Sequence, residues 1–146
     1  MRTNSSGLFL LDANVLIALC WPTHGLHQGV ERWFGVRGAR GWATCPFTQS
    51  AFVRIVSNPA FSRDALAPAN AVELLRENLE HPSHRFWPAD IPITEAVHGM
   101  LPRLTGHQQI TDAYLVALAI HNKGKLATLD RGILKWAPAG SVELIG

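Results

Sequence analysis

Leu8-Phe9-Leu10-Leu11-Asp12-Ala13-Asn14 is the stretch on which the fold turns. The run over residues 8–13 is apolar apart from Asp12 and too short for a helix, so it reads as a buried strand of a parallel sheet. Asn14 follows as the cap of a helix over residues 15–21, which Pro22 stops. Outward from there the pattern repeats. Leu26, Val30, Trp33 and Phe34 recur at helical spacing, and residues 42–45 form a second short strand. Pro46 and Pro68 each open a helix at a favoured first-turn position. Residues 84–87 make a weak third strand, and Thr94 is suited to cap a helix over residues 95–101. Residues 112–122 form a helix apolar nearly all round, hence central, with Gly124 just past its end. The last strands lie over residues 125–129 and 141–145. Strands alternating with helices predict one α/β domain over residues 1–146, its parallel sheet covered on both faces, behind a short polar tail at residues 1–7. Local pattern does not encode the order of the strands.

Three of the five aspartates stand at the ends of apolar runs. Asp12 closes the first strand, Asp112 opens the apolar helix, and Asp130 closes Leu126-Ala127-Thr128-Leu129. A carboxylate beside buried surface is costly unless a charge or a donor meets it. Taken singly, each has a plain use: a turn for Asp12 and Asp130, a first-turn carboxylate for Asp112. Taken together, all three fall at the carboxyl edge of a parallel sheet, where α/β proteins bind ligands. Three carboxylates brought together repel unless a cation sits among them. Oxygen ligands without paired His or Cys point to Mg²⁺ or Mn²⁺ rather than zinc, and such ions suit phosphodiester chemistry.

Composition sets looser bounds. At 146 residues the chain can bury a full core, and 47% hydrophobic with 16% charged residues is ordinary for a globular protein. A net charge of +2 permits a nucleic-acid partner without arguing for one. Cys20 and Cys45 are too few for a disulfide framework and read as free thiols of a reducing cytosol. No stretch is long and apolar enough to span a membrane, and Asp12 and Asn14 interrupt the only run that looks like a signal core. A soluble, cytoplasmic protein is expected.

Leu10-Leu11-Asp12-Ala13-Asn14-Val15-Leu16, Thr111-Asp112-Ala113-Tyr114 and Ala127-Thr128-Leu129-Asp130 together resemble a PIN-domain ribonuclease, and most nearly the VapC toxins of bacterial type II toxin–antitoxin pairs. Thr48-Gln49-Ser50-Ala51-Phe52-Val53-Arg54-Ile55-Val56-Ser57-Asn58-Pro59 resembles one VapC subgroup. Each motif alone is weak; the ordered set, running from Leu10 to Ile145, is specific. The resemblance implies a three-layer α/β/α sandwich with a central parallel sheet of about four to five strands. It implies Mg²⁺- or Mn²⁺-dependent endonucleolytic cleavage of RNA, often a structured tRNA or rRNA loop, with water attacking the phosphodiester in line. Asp12 and Asp112 would be the main metal ligands, Asp130 would complete the site, and Asn14 and Thr128 would orient the carboxylates. A VapB-type antitoxin would block the pocket, and a homodimer is usual. One departure stands out: many PIN domains carry glutamate where this chain has Gln49, which offers an oxygen but no charge and no base.

Arg37, Arg40, Arg131 and Lys135 are candidate contacts for RNA phosphates beside the pocket, against the plain reading of a solvated surface. The His24/His27 and His81/His84 pairs share a metal-like spacing but lack a third partner, which favours loop histidines. Trp33 is expected in the core. Two rivals remain. One is a metal-dependent phosphatase, unsupported by any Asp-x-Asp or Gly-rich phosphate motif. The other is a catalytically weak PIN-like RNA-binding or regulatory module, for which Gln49 speaks.

Overall fold

A computed structural model describes residues 7–146, so all but the last residue of the expected polar tail lies outside the described residues. Five short strands carry the fold: β1 (Phe9–Leu11), β2 (Trp42–Thr44), β3 (His84–Phe86), β4 (Lys125–Thr128) and β5 (Val142–Leu144). They form one wholly parallel sheet in the order β3-β2-β1-β4-β5. The chain therefore builds outward from β1 through β2 to β3, then returns to the other flank of β1 for β4. This reversal makes a topological switch point between β1 and β4, with Leu10 opposite Leu126 and Leu11 opposite Ala127.

Side-chain alternation along these strands divides the core into two layers. Leu10, Ala43 and Leu126 face one way, onto the helix α6 (Ile110–His121) together with Trp87, Met100 and Trp136. Phe9, Leu11, Trp42 and Ala127 face the other way, onto α1 (Ala13–Cys20), α2 (His27–Val36), α3 (Pro46–Val56) and α4 (Pro68–Leu79). The result is the expected three-layer sandwich. Helix α6 has a continuous buried run from Ala113 to Ala119, as its all-round apolar sequence requires. Among the described residues no helix is long and apolar enough to cross a membrane.

Five local expectations are corrected. The cap of α1 is Asp12, whose side chain accepts from the Ala13 amide, so the helix begins before Asn14. Pro92 precedes a short helix α5 (Ile93–Ala96), which passes into a 3₁₀ segment, His98–Arg103, containing Pro102. Thr94 therefore lies inside a helical turn and makes no cap. Helix α6 starts two residues early, placing Asp112 within its first turn. At its other end Lys123, not Gly124, takes the left-handed conformation, with φ 59°. Gly124 is required for another reason: a Cβ there would lie 2.3 Å from the Leu8 carbonyl oxygen. Trp33 is half-buried and not in the deep core; it stacks edge-on against Phe9 at 5.2 Å.

Candidate active site

Asp12 and Asp130 follow β1 and β4, the two strands that flank the switch point, and Asp112 enters the same rim from the first turn of α6. Asp12 is buried, at 8% exposure. Its Oδ1 accepts from the Ala13 amide and its Oδ2 from the Thr128 hydroxyl, both at 2.8 Å. Thr128, the fully buried last residue of β4, also accepts from the Asp130 amide at 3.0 Å. One hydroxyl thus ties two of the three aspartates together. Asp130 turns its own Oδ1 to the Gly132 amide at 2.8 Å and caps the 3₁₀ segment Arg131–Lys135.

The charges at this rim are uncompensated. Burial raises the pKa of Asp12, against the hydrogen bonds from Thr128 and Ala13, and the charge of Asp130 adds to the rise. Asp112 is pushed up to about 6, first by burial and then by the charges of Asp12 and Asp130. No hydrogen bond or ion pair reaches its carboxylate among the described residues. A buried and a half-buried carboxylate with raised pKa values and no cation between them mark a site short of positive charge.

This donor set fits a hard dication. It offers only carboxylate oxygens, and it lacks the one thing a cation would bring. Among the described residues no three His, Cys, Asp or Glu side chains form a ready-made metal cage. An open arrangement of this kind suits an ion that retains part of its water shell.

A cavity of about 360 Å³ opens beside Asp112 and Asp130. Arg103, Lys135, Gln108, Gln109 and Trp136 also line it. Lys135 thus stands on the rim of this cavity. Arg131 is exposed and does not line this cavity. Arg37 and Arg40 are corrections: they line a separate cavity with Gly7, Leu8 and Phe9, at the amino end of β1 and so at the opposite edge of the sheet. Arg37 is engaged there with Glu143, which also accepts from the Trp33 indole at 3.0 Å. Asn14 is exposed and lines a shallow pocket with His24 and Asp130, with no hydrogen bond to a carboxylate among the described residues.

Arg103, Gln108 and Gln109 escaped the sequence reading. Their signal was position: a polar, basic stretch directly before the helix that carries Asp112. Gln49 sits half-buried in the first turn of α3, its amide nitrogen donating to the Thr44 hydroxyl at 3.0 Å. The histidine pairs do local work. His24 accepts from the Leu26 amide and His27 contacts the Ala18 carbonyl at 2.7 Å. His81 accepts from the Ser83 amide, and His84 contacts Thr44.

The PIN domain family model matches residues 9–137. The chain belongs to the PIN domain family. Relatives within it include Ribonuclease VapC39 of Mycobacterium tuberculosis, 40% identical over 136 residues that cover 93% of this chain and 98% of that protein. Ribonuclease VapC38 of the same organism is 37% identical, covering 93% of this chain and 96% of its own length. Among solved structures, VapBC2 from Rickettsia felis bound to a promoter DNA fragment superposes with a TM-score of 0.68 at 12% identity, covering 95% of this chain and 99% of that one. FitAcB from Neisseria gonorrhoeae does so at 0.64 and 21% identity, covering 92% and 96%. At such identities these two speak for the fold alone.

Proposed function

We propose that this PIN domain is a VapC-type toxin, an endoribonuclease that hydrolyses RNA phosphodiester bonds with Mg²⁺ or Mn²⁺. The observation that carries this reading is the meeting of Asp12, Asp112 and Asp130, uncompensated, at the switch-point rim. The near-full-length identity to proteins named ribonucleases supports the reaction class. When bound, the dication neutralises the phosphate and lowers the pKa of water. The chain's own residues supply the rest. Asp12, Asp112 and Asp130 hold the ion, and Thr128 fixes the orientation of Asp12. Arg103 and Lys135, on the cavity rim, engage phosphates of the RNA strand. As a toxin the protein acts in the cytoplasm, as a homodimer, on tRNA or rRNA, and is held in check by a VapB-type antitoxin, the partner class named in the VapBC structures.

The deciding experiment is cleavage of total cellular RNA by antitoxin-free protein in Mg²⁺, Mn²⁺ or EDTA, beside Asp12→Asn and Asp112→Asn. Metal-dependent discrete fragments, reduced at least about a thousandfold in both variants, are the expected result. Retained cleavage in both variants sinks the assignment of the site. RNA binding without any cleavage transfers the protein to the second reading, a PIN-like RNA-binding module. The observation favouring that reading is the neutral amide of Gln49 where a carboxylate is usual.

A further inference from the structure

A partly buried relay of polar groups, centred on Thr44, lies one strand away from the aspartates. Thr44, the last residue of β2, is fully buried. Its Oγ1 lies 2.7 Å from His84 Nε2 and 3.0 Å from Gln49 Nε2. The His84 ring lies tilted over Trp42, their centroids 4.8 Å apart. Burial, then the charges of Arg85 and His81, push its pKa down to about 4, so at neutral pH the ring carries one proton.

Donor and acceptor capacities fix the rest. With Gln49 donating to its oxygen, the Thr44 hydroxyl has His84 Nε2 as its one acceptor among the described residues, so Nε2 accepts and the ring proton sits on Nδ1. The Gln49 amide turns its NH₂ inward and its Oε1 away. Among the described residues nothing donates to that Oε1. Gln49 stands just past β2, next to β1, whose end carries Asp12.

We propose that His84 and Thr44 form a positioning relay that holds the Gln49 amide oxygen outward on the Asp12 rim, as an uncharged acceptor for a hydrogen-bond donor of the bound RNA. The RNA half of this inference rests on the function proposed above; the relay does not. In this chain Gln49 is then a specificity-determining contact and not a failed carboxylate. His84 is its remote anchor.

Two measurements test it. Long-range ¹H–¹⁵N NMR of the metal-free protein should show His84 with the proton on Nδ1 at pH 7. In Gln49→Glu the carboxylate can only accept, so the Thr44 hydroxyl turns to it and Nε2 needs a proton of its own. The His84 titration should then rise by about two pH units. A proton on Nε2 in the parent protein, or an unmoved titration in Gln49→Glu, overturns the relay. The second measurement is binding of bulk tRNA in EDTA. Thr44→Val and Gln49→Ala should weaken Kd about tenfold each, no further when combined, while Thr44→Ser retains the parent affinity. Parent affinity in Thr44→Val overturns the positioning role, and no tRNA binding by the parent protein overturns the RNA half. If the parent binds tRNA but cleaves no RNA, the nuclease reading fails while the relay stands.

Discussion

Asp112 illustrates how a single side chain can be set against the fold that holds it. Its pKa lies near 6 in the folded protein and 3.8 when unperturbed. A folded pKa above the unfolded one means that its contribution to stability is fully present below pH 3.8 and is lost as pH rises through 6. Above that range the metal-free protein carries an unpaired, half-buried charge. Asp112→Asn should therefore stabilise the metal-free fold at pH 8, by about 1 kcal/mol once solvent screening of a partly exposed group is allowed for. Urea unfolding in EDTA is the check, and a destabilised variant would contradict the assigned electrostatics. His84 has the opposite sign. Its pKa falls from 6.5 to about 4, so its contribution is present above 6.5 and is lost as pH falls through 4. The candidate aspartates were legible in the sequence because each interrupts apolar surface. The bond between Thr128 and Asp12 joins residues 116 positions apart, so no local pattern reveals its geometry.

At the scale of elements, periodicity placed the strands and the long helices within a few residues, because burial on one or two faces leaves a pattern in the chain. It misplaced what depends on competing caps. Asp12 and Asn14 are both good cap residues, and only the pairing of the Asp12 amide with the Ala127 carbonyl decides that the strand runs up to Asp12. Thr94 lost its place to Pro92, whose fixed φ starts the turn earlier. Gly124 reads in the sequence as the glycine just past a helix end, but what requires glycine there is visible only in three dimensions. Its Cα passes so close to the Leu8 carbonyl that a methyl group would collide with backbone. Gly124→Ala should cost about 2–3 kcal/mol, measured as a lowered denaturation midpoint with an unchanged m-value. A neutral effect would mean that β1 and β4 can separate without loss, against their direct pairing.

The whole molecule adds a division of charge between the two edges of the sheet. Arg103 and Lys135 gather beside the aspartates, while Arg37 and Arg40 lie at the far edge, with Arg37 spent on Glu143. Arg103→Ala and Lys135→Ala should each weaken RNA binding and lower the slope of log K against log salt by about one, and Arg40→Ala should leave both unchanged. Titrating affinity against KCl separates these outcomes. An equal loss from Arg40→Ala would place the RNA path across the amino edge instead.

Local sequence pattern is enough for the α/β class, the parallel sheet, the central apolar helix and the three candidate aspartates. These follow from short-range rules: which side chains must leave water, and which residues cap or break an element. The tertiary structure alone decided the order β3-β2-β1-β4-β5, the switch point that brings Asp12 and Asp130 side by side, and which arginines share their rim. Those depend on how the chain returns to β1 after β3, and no local preference encodes that path. The conformation of Gln49 belongs to the same class, since Thr44 and His84, from neighbouring strands, impose it.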